Sequence, residues 1–71
     1  MAKKRKSKHY HNVWQAVRKL LREQEYPPNI REIGDEAGID STSLIAYQLR
    51  KLEEDGLIKR EPRVHRSIRL A

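Results

Sequence analysis

Residues 27–56 read PPNIREIGDEAGIDSTSLIAYQLRKLEEDG, and this stretch decides the fold. It predicts two short helices joined by a tight turn. Pro27 and Pro28 stop whatever helix precedes them, because neither donates a backbone N–H and each disfavours helix in the residue before it. Asn29 with Glu32 three residues on has the spacing of a capping box, and Ile30, Ile33 and Ala37 supply an apolar side. Gly34 sits inside the first helix, where it costs about 1 kcal/mol relative to Ala; close approach of another helix is the expected reason. Gly38 ends that helix as a left-handed glycine does, and Ile39 plugs the turn. A small residue, a turn glycine four positions later and then a hydrophobe is the spacing of a helix-turn-helix.

The second of these helices opens at Ser41, an expected N-cap. Ile45, Leu49 and Leu52 recur at i, i+4, i+7 and are expected to face a core. Glu53, Glu54, Asp55 and Gly56 close it. Three acids there oppose the helix dipole, and beyond the stop at Gly56 the sequence offers no reason for them.

Working outward, Val13, Trp14, Val17, Leu20 and Leu21 make one apolar stripe of period 3.6 on an earlier helix. Ser7 is its expected N-cap, and Arg18, Lys19, Arg22 and Glu23 fill the other face. On the far side, Leu57–Arg60 and Arg66–Leu70 read as two short strands with residues 61–65 as their loop. Alternation places Ile58 and Ile68 inward and their basic neighbours outward. The fold class is therefore mainly α with a small β-hairpin: a three-helix winged helix-turn-helix over residues 8–71, preceded by a basic disordered tail at residues 1–7.

At 71 residues the chain is one small domain, and it has no cysteine. That excludes a disulfide, a thiolate metal site and a cysteine nucleophile, and fits a cytosolic setting. The basic N-terminus lacks the apolar segment of a signal peptide, and no apolar run approaches the roughly 18 residues of a membrane span. Net charge is +6, but its distribution says more. Residues 1–8 hold five cations and no acid, residues 59–71 hold five cations and one acid, and the middle is net negative. Charge concentrated at the two ends suits contact with a polyanion; a solvated tail and hairpin is the plainer alternative.

With Ile45, Leu49 and Leu52 inward, Thr42, Ser43, Ala46, Tyr47 and Arg50 remain outside on the last helix. Recognition helices read base edges from their N-terminal half. Serine and threonine hydroxyls donate or accept, and an alanine admits close approach to a thymine methyl. Leu44 is either a boundary core residue or a methyl contact. Solvated helix faces are usually rich in Glu, Lys and Arg, whereas this one is uncharged until Arg50. Arg63, His65 and Arg66, with Lys59 and Arg60 beside them, can reach phosphates or a minor groove; protection of exposed strand edges is the alternative. Lys3, Lys4, Arg5 and Lys6 of the tail can lie along phosphates.

Catalysis has little support. His9 and His11, two apart, do not share a helix face. Asp35, Glu36 and Asp40 lack the ligand ladder of a calcium loop, and no phosphate-cradling glycine loop or nucleophile elbow occurs. Trp14 belongs to the core stripe rather than to a stacking platform. No catalytic residue, metal ligand or cofactor is expected.

At these residues the chain resembles the N-terminal DNA-binding domain of the LexA repressor family. Val13-Trp14, Pro27-Pro28, Arg31-Glu32-Ile33, Gly38, Leu49, Leu52, Gly56 with Ile58, and the closing Ile68-Arg69-Leu70 carry the likeness, from about Ser7 to Leu70. The resemblance implies a winged domain that binds double-stranded DNA half-sites as a homodimer, either preformed or formed only on DNA. It implies a cytoplasmic, nucleoid-associated regulator of prokaryotic or viral origin; the family's self-cleaving Ser-Lys domain is not in this sequence, which fits either an excised domain or a small stand-alone binder. By position it assigns base readout to Ser41, Ser43, Leu44, Ala46 and Tyr47. Here the chain departs from the family's Asn, Ala and Glu pair, so the target sequence stays open. Ser67 stands where the family tends to have glycine, which leaves the hairpin's turn shape open too. A protein-interaction module and an RNA-binding module are the alternative functions.

Overall fold

The structure, a computed structural model, describes residues 7–61 and 67–71. Three helices, α1 (Lys8–Glu23), α2 (Ile30–Ala37) and α3 (Thr42–Glu54), precede a two-stranded antiparallel ladder of β1 (Ile58–Lys59) and β2 (Arg69–Leu70). This is the winged helix-turn-helix expected from the sequence.

Each helix starts on a cap that was legible in advance. The Ser7 hydroxyl accepts from the Tyr10 amide at 3.1 Å. Asn29 and Glu32 form the reciprocal pair, each side chain accepting from the other's backbone N–H at 2.8 and 3.0 Å. The Ser41 hydroxyl accepts from the Leu44 amide at 3.1 Å. Such caps satisfy donors that a helix cannot satisfy itself.

The core joins Tyr10, Val13, Ala16, Val17 and Leu20 of α1 to Ile33 of α2, to Ile45, Leu49 and Leu52 of α3, and to Ile58 and Ile68 of the hairpin. Burying each such large side chain contributes about 1.5–3 kcal/mol relative to exposure. The expected α1 stripe is right at Val13, Val17 and Leu20. Its centre, however, lies toward Tyr10 and Ala16, so Trp14 and Leu21 sit at the core's edge, only partly buried.

Two boundaries differ from expectation. Helix α1 ends at Glu23 with Gln24 extended, before the prolines. The connection that follows carries Pro28 into the core, where it is fully buried. The strands are two residues each rather than four and five, with Ile58 opposite Leu70 and Lys59 opposite Arg69. The ladder stops because a side chain takes over. The Ser67 hydroxyl accepts from the Glu61 amide at 2.9 Å and donates to the Glu61 carbonyl at 3.2 Å.

Gly34 is a site of close approach as expected, but by the backbone of the turn as well as by a side chain of the next helix. A Cβ there would stand 2.7 Å from the Ile39 carbonyl oxygen and 2.7 Å from the Ile45 Cδ1. The turn between α2 and α3 thus packs directly on the α2 backbone. Gly38 follows at φ 73°, and the Ile39 amide donates back to the Gly34 carbonyl at 2.9 Å.

Candidate nucleic-acid interface

Helix α3 is fixed by its buried side and offers the other. Ile45, Leu49 and Leu52 are inward as expected, and so is Gln48, only 5% exposed. The sequence reading missed Gln48 because it ranked apolar residues only, although position 48 completes the stripe geometrically.

On the opposite side, Ser41, Thr42, Ser43 and Tyr47 are exposed, while Leu44 and Ala46 are half-buried. Leu44 therefore sits at the boundary and is neither wholly core nor wholly surface. Tyr47, 49% exposed, has the Arg50 guanidinium over its ring at 6.0 Å, near the outer limit of a cation–π contact. These six positions and Arg50 form one face: hydroxyls at the helix start, small or apolar atoms beside them, an aromatic ring, then a cation. Such a face can hydrogen-bond in either direction while allowing close approach.

The hairpin and helix cations divide into two groups. Arg60 pairs with Glu53 at 2.8 Å, Lys19 with Glu36 at 2.9 Å, and Lys51 lies 3.8 Å from Glu54. Glu36 holds the Lys19 ammonium above its usual range, chiefly through their hydrogen bond. Arg60, grouped with the hairpin's phosphate-reaching cations on sequence grounds, is thus already engaged by an acid. Arg31 and Lys59 are exposed and have no acidic partner among the described residues. Arg31, noted in the sequence only for the family likeness and not as a phosphate contact, stands on the first turn of α2, where a cation opposes the dipole. That mismatch was the available signal. Lys3, Lys4, Arg5, Lys6, Arg63, His65 and Arg66 lie outside the described residues.

The three acids closing α3 now have an account. Glu53 binds Arg60, Glu54 lies near Lys51, and the Asp55 carboxylate accepts a hydrogen bond from the Tyr10 hydroxyl. Burial, and then the Asp55 hydrogen bond and charge, push the Tyr10 phenol up to about 12. Among the described residues, no helix is long and apolar enough to cross a membrane.

The LexA DNA binding domain family matches residues 4–67. The LexA repressor of Mycobacteroides abscessus is 45% identical over 56 residues, which cover 79% of this chain and 25% of that protein. The LexA repressor of Corynebacterium efficiens is also 45% identical over 56 residues, covering 79% and 24%. That of Corynebacterium diphtheriae is 56% identical over 43 residues, covering 61% and 18%. The chain spans about a quarter or less of the length of these curated relatives.

Proposed function

We propose, from the premise that this chain belongs to the LexA DNA binding domain family, that it binds double-stranded DNA sequence-specifically and acts in transcriptional repression. The observation that carries the reading is the exposed, uncharged start of α3, with Ser41, Thr42, Ser43 and Tyr47 open and Ala46 half-open beside them. A helix face without charges contributes little to solubility. In a major groove, the same hydroxyls, methyl and ring can address base edges.

In this reading α3 lies in the groove, with Ser41, Thr42, Ser43, Leu44, Ala46 and Tyr47 toward the bases. Arg50, Arg31 and Lys59 approach phosphates, which set register and orientation. The tail cations Lys3, Lys4, Arg5 and Lys6, and Arg63, His65 and Arg66 of the hairpin, add sequence-independent attraction. The domain performs no chemistry on the DNA; it works by occupying a promoter in the cytoplasm. Two copies on a palindrome would mirror a two-fold operator, with half-sites about one helical turn apart or a multiple of it.

The test is selection from a random duplex pool at about 150 mM salt, followed by binding of the winning sequence and a scrambled control. An enriched palindrome supports a dimeric, sequence-specific regulator. A single enriched half-site supports sequence-specific binding by a monomer and removes the dimer. No enrichment, with weak and steeply salt-dependent binding, refutes specific recognition and moves a protein partner to first place. Preference for RNA over duplex DNA refutes it as well.

A further inference from the structure

We infer that Glu53 and Arg60 form a splint that fixes the angle between α3 and the hairpin, so that both act as positioning residues for the hairpin's approach to DNA. The inference rests on the DNA-binding reading above.

The hairpin's ladder is only two residue pairs long, extended at one end by the Ala71 amide donating to the Leu57 carbonyl at 3.1 Å and at the other by Ser67 and Glu61. Isolated two-stranded hairpins are marginal in water. Its inner face is anchored by Ile58 and Ile68, both buried, and its start by the Leu57 amide donating to the Leu52 carbonyl at 3.0 Å. Those anchors grip the inner face as far as Ile68. Arg60, directly after the strand, adds a directional tie from the hairpin's flank back to α3.

The partner in that tie is the Glu53 carboxylate. Arg60 Nε donates to Glu53 Oε1 at 3.0 Å, and the same oxygen lies 2.8 Å from Nη2, so the carboxylate sits against one edge of the guanidinium. Charge-assisted bonds of this kind are short and directional. The side chains are only 26% and 32% exposed, so screening is weaker than for the outer pair Arg69–Glu61, at 4.0 Å with both partners 58% exposed. Glu53 lies in the last turn of α3, where a carboxylate is disfavoured by the helix dipole. A residue in an unfavourable place, bonded to the next element through a rigid planar group, ties the two elements together. Directly after Arg60, the Ser67 hydroxyl holds Glu61 from both its amide and its carbonyl, so the fixed geometry passes on to the second arm of the hairpin.

The alternative is that Arg60 is itself a phosphate contact and Glu53 merely shields it. The two ideas give opposite signs for one substitution. Glu53→Gln removes the negative charge and weakens the hold on Arg60. If Arg60 is a contact residue, affinity for DNA rises. If the pair positions the hairpin, affinity falls although the protein has become more positive.

The experiment uses the full chain with Glu53→Gln, Arg60→Gln and the reversed pair Glu53→Arg with Arg60→Glu. Each is measured on the selected duplex with its flanks intact and with the flanks trimmed to the bases facing α3, alongside a thermal melt. On the intact duplex both single variants are expected to lose about three- to tenfold, within the range for residues that modulate binding without touching the ligand. On the trimmed duplex, wild type and variants bind alike, and the reversed pair recovers part of the flank dependence. Tighter binding by Glu53→Gln, or full flank dependence retained by both single variants, overturns the splint alone. A wild-type chain that selects no DNA, or that binds intact and trimmed duplexes equally, overturns the parent reading of α3 or of the hairpin respectively, and the splint with it.

Discussion

Gly34→Ala sets two known effects against each other at one position. Alanine inside a helix is favoured over glycine by about 1 kcal/mol, so on propensity alone the variant is more stable. The structure says otherwise. The new methyl carbon would lie 2.7 Å from both the Ile39 carbonyl oxygen and the Ile45 Cδ1. The Ile45 methyl is the end of a side chain, but Ile45 is 1% exposed and has little room to turn. The Ile39 carbonyl is backbone, in a turn whose own amide is bonded to Gly34. Overpacking of this kind costs about 1–3 kcal/mol. The net expectation is a loss of about 1 kcal/mol, which for a domain of this size lowers Tm by roughly 4–8 °C. Urea unfolding followed by Trp14 fluorescence and by far-ultraviolet circular dichroism measures it. Gly38→Ala is the control, with φ 73° and nothing within 4 Å of the added carbon, so its cost of about 1–2 kcal/mol is conformational alone. A Gly34→Ala protein more stable than wild type by about the propensity gain would refute the close packing of the turn on α2.

Tyr10→Phe is expected to cost about 1 kcal/mol at neutral pH by removing the bond to Asp55. Because folding raises this phenol from its ordinary 10.0 to about 12, its contribution is complete below pH 10 and disappears as pH climbs to about 12. Alkaline urea titrations should therefore show an added fall in wild-type stability over that window and none in the phenylalanine variant. Ser41→Ala should cost about 0.5–2 kcal/mol through loss of the cap, and Ser41→Gly only a few tenths. If both nevertheless lose the same DNA preference, Ser41 reads bases as well as capping; if Ser41→Gly binds DNA like wild type, its role is the cap alone. Tyr47→Ala should lose sequence preference more than total affinity, and equal losses on selected and random duplexes would remove it from readout. Arg50→Gln should lower the salt slope of binding by about 1, measured by titration at several ionic strengths.

What could be read in advance follows from how local each signal is. The caps at Ser7, Asn29 and Ser41 are visible because the interaction spans three residues and needs no partner elsewhere. Gly34 and Gly38 were legible for the same reason, as departures from what a helix would choose. The partner of the Tyr10 hydroxyl was not, because Asp55 lies 45 positions away. The division of cations into engaged and open ones was equally hidden. Arg60 and Lys59 look alike as letters, and only folded distances separate the arginine bonded to Glu53 from the lysine left open. Strand length was overestimated because alternation continues through residues where the Ser67 hydroxyl has replaced the ladder. The exposed face of α3 was legible as a face, since its complement is the core, but the half-buried state of Leu44 and Ala46 at its boundary needed coordinates.

The junction at Gly56 has a consequence for how this chain can vary. The Gly56 amide donates to the Glu53 carbonyl, the Leu57 amide to the Leu52 carbonyl, and Ile58 already belongs to the strand. Helix and strand therefore meet with no slack. Along a strand, successive side chains alternate between faces, so a single residue inserted at 55–57 would turn Ile58 toward solvent and drive Lys59 at the core. The junction can tolerate exchange of letters but not a change of length. By contrast, residues 24–26, ahead of the buried Pro28 and the Asn29 cap, carry no such parity. Insertions and deletions should accumulate there, while the spacing from Leu52 to Ile58 stays constant in any functional variant.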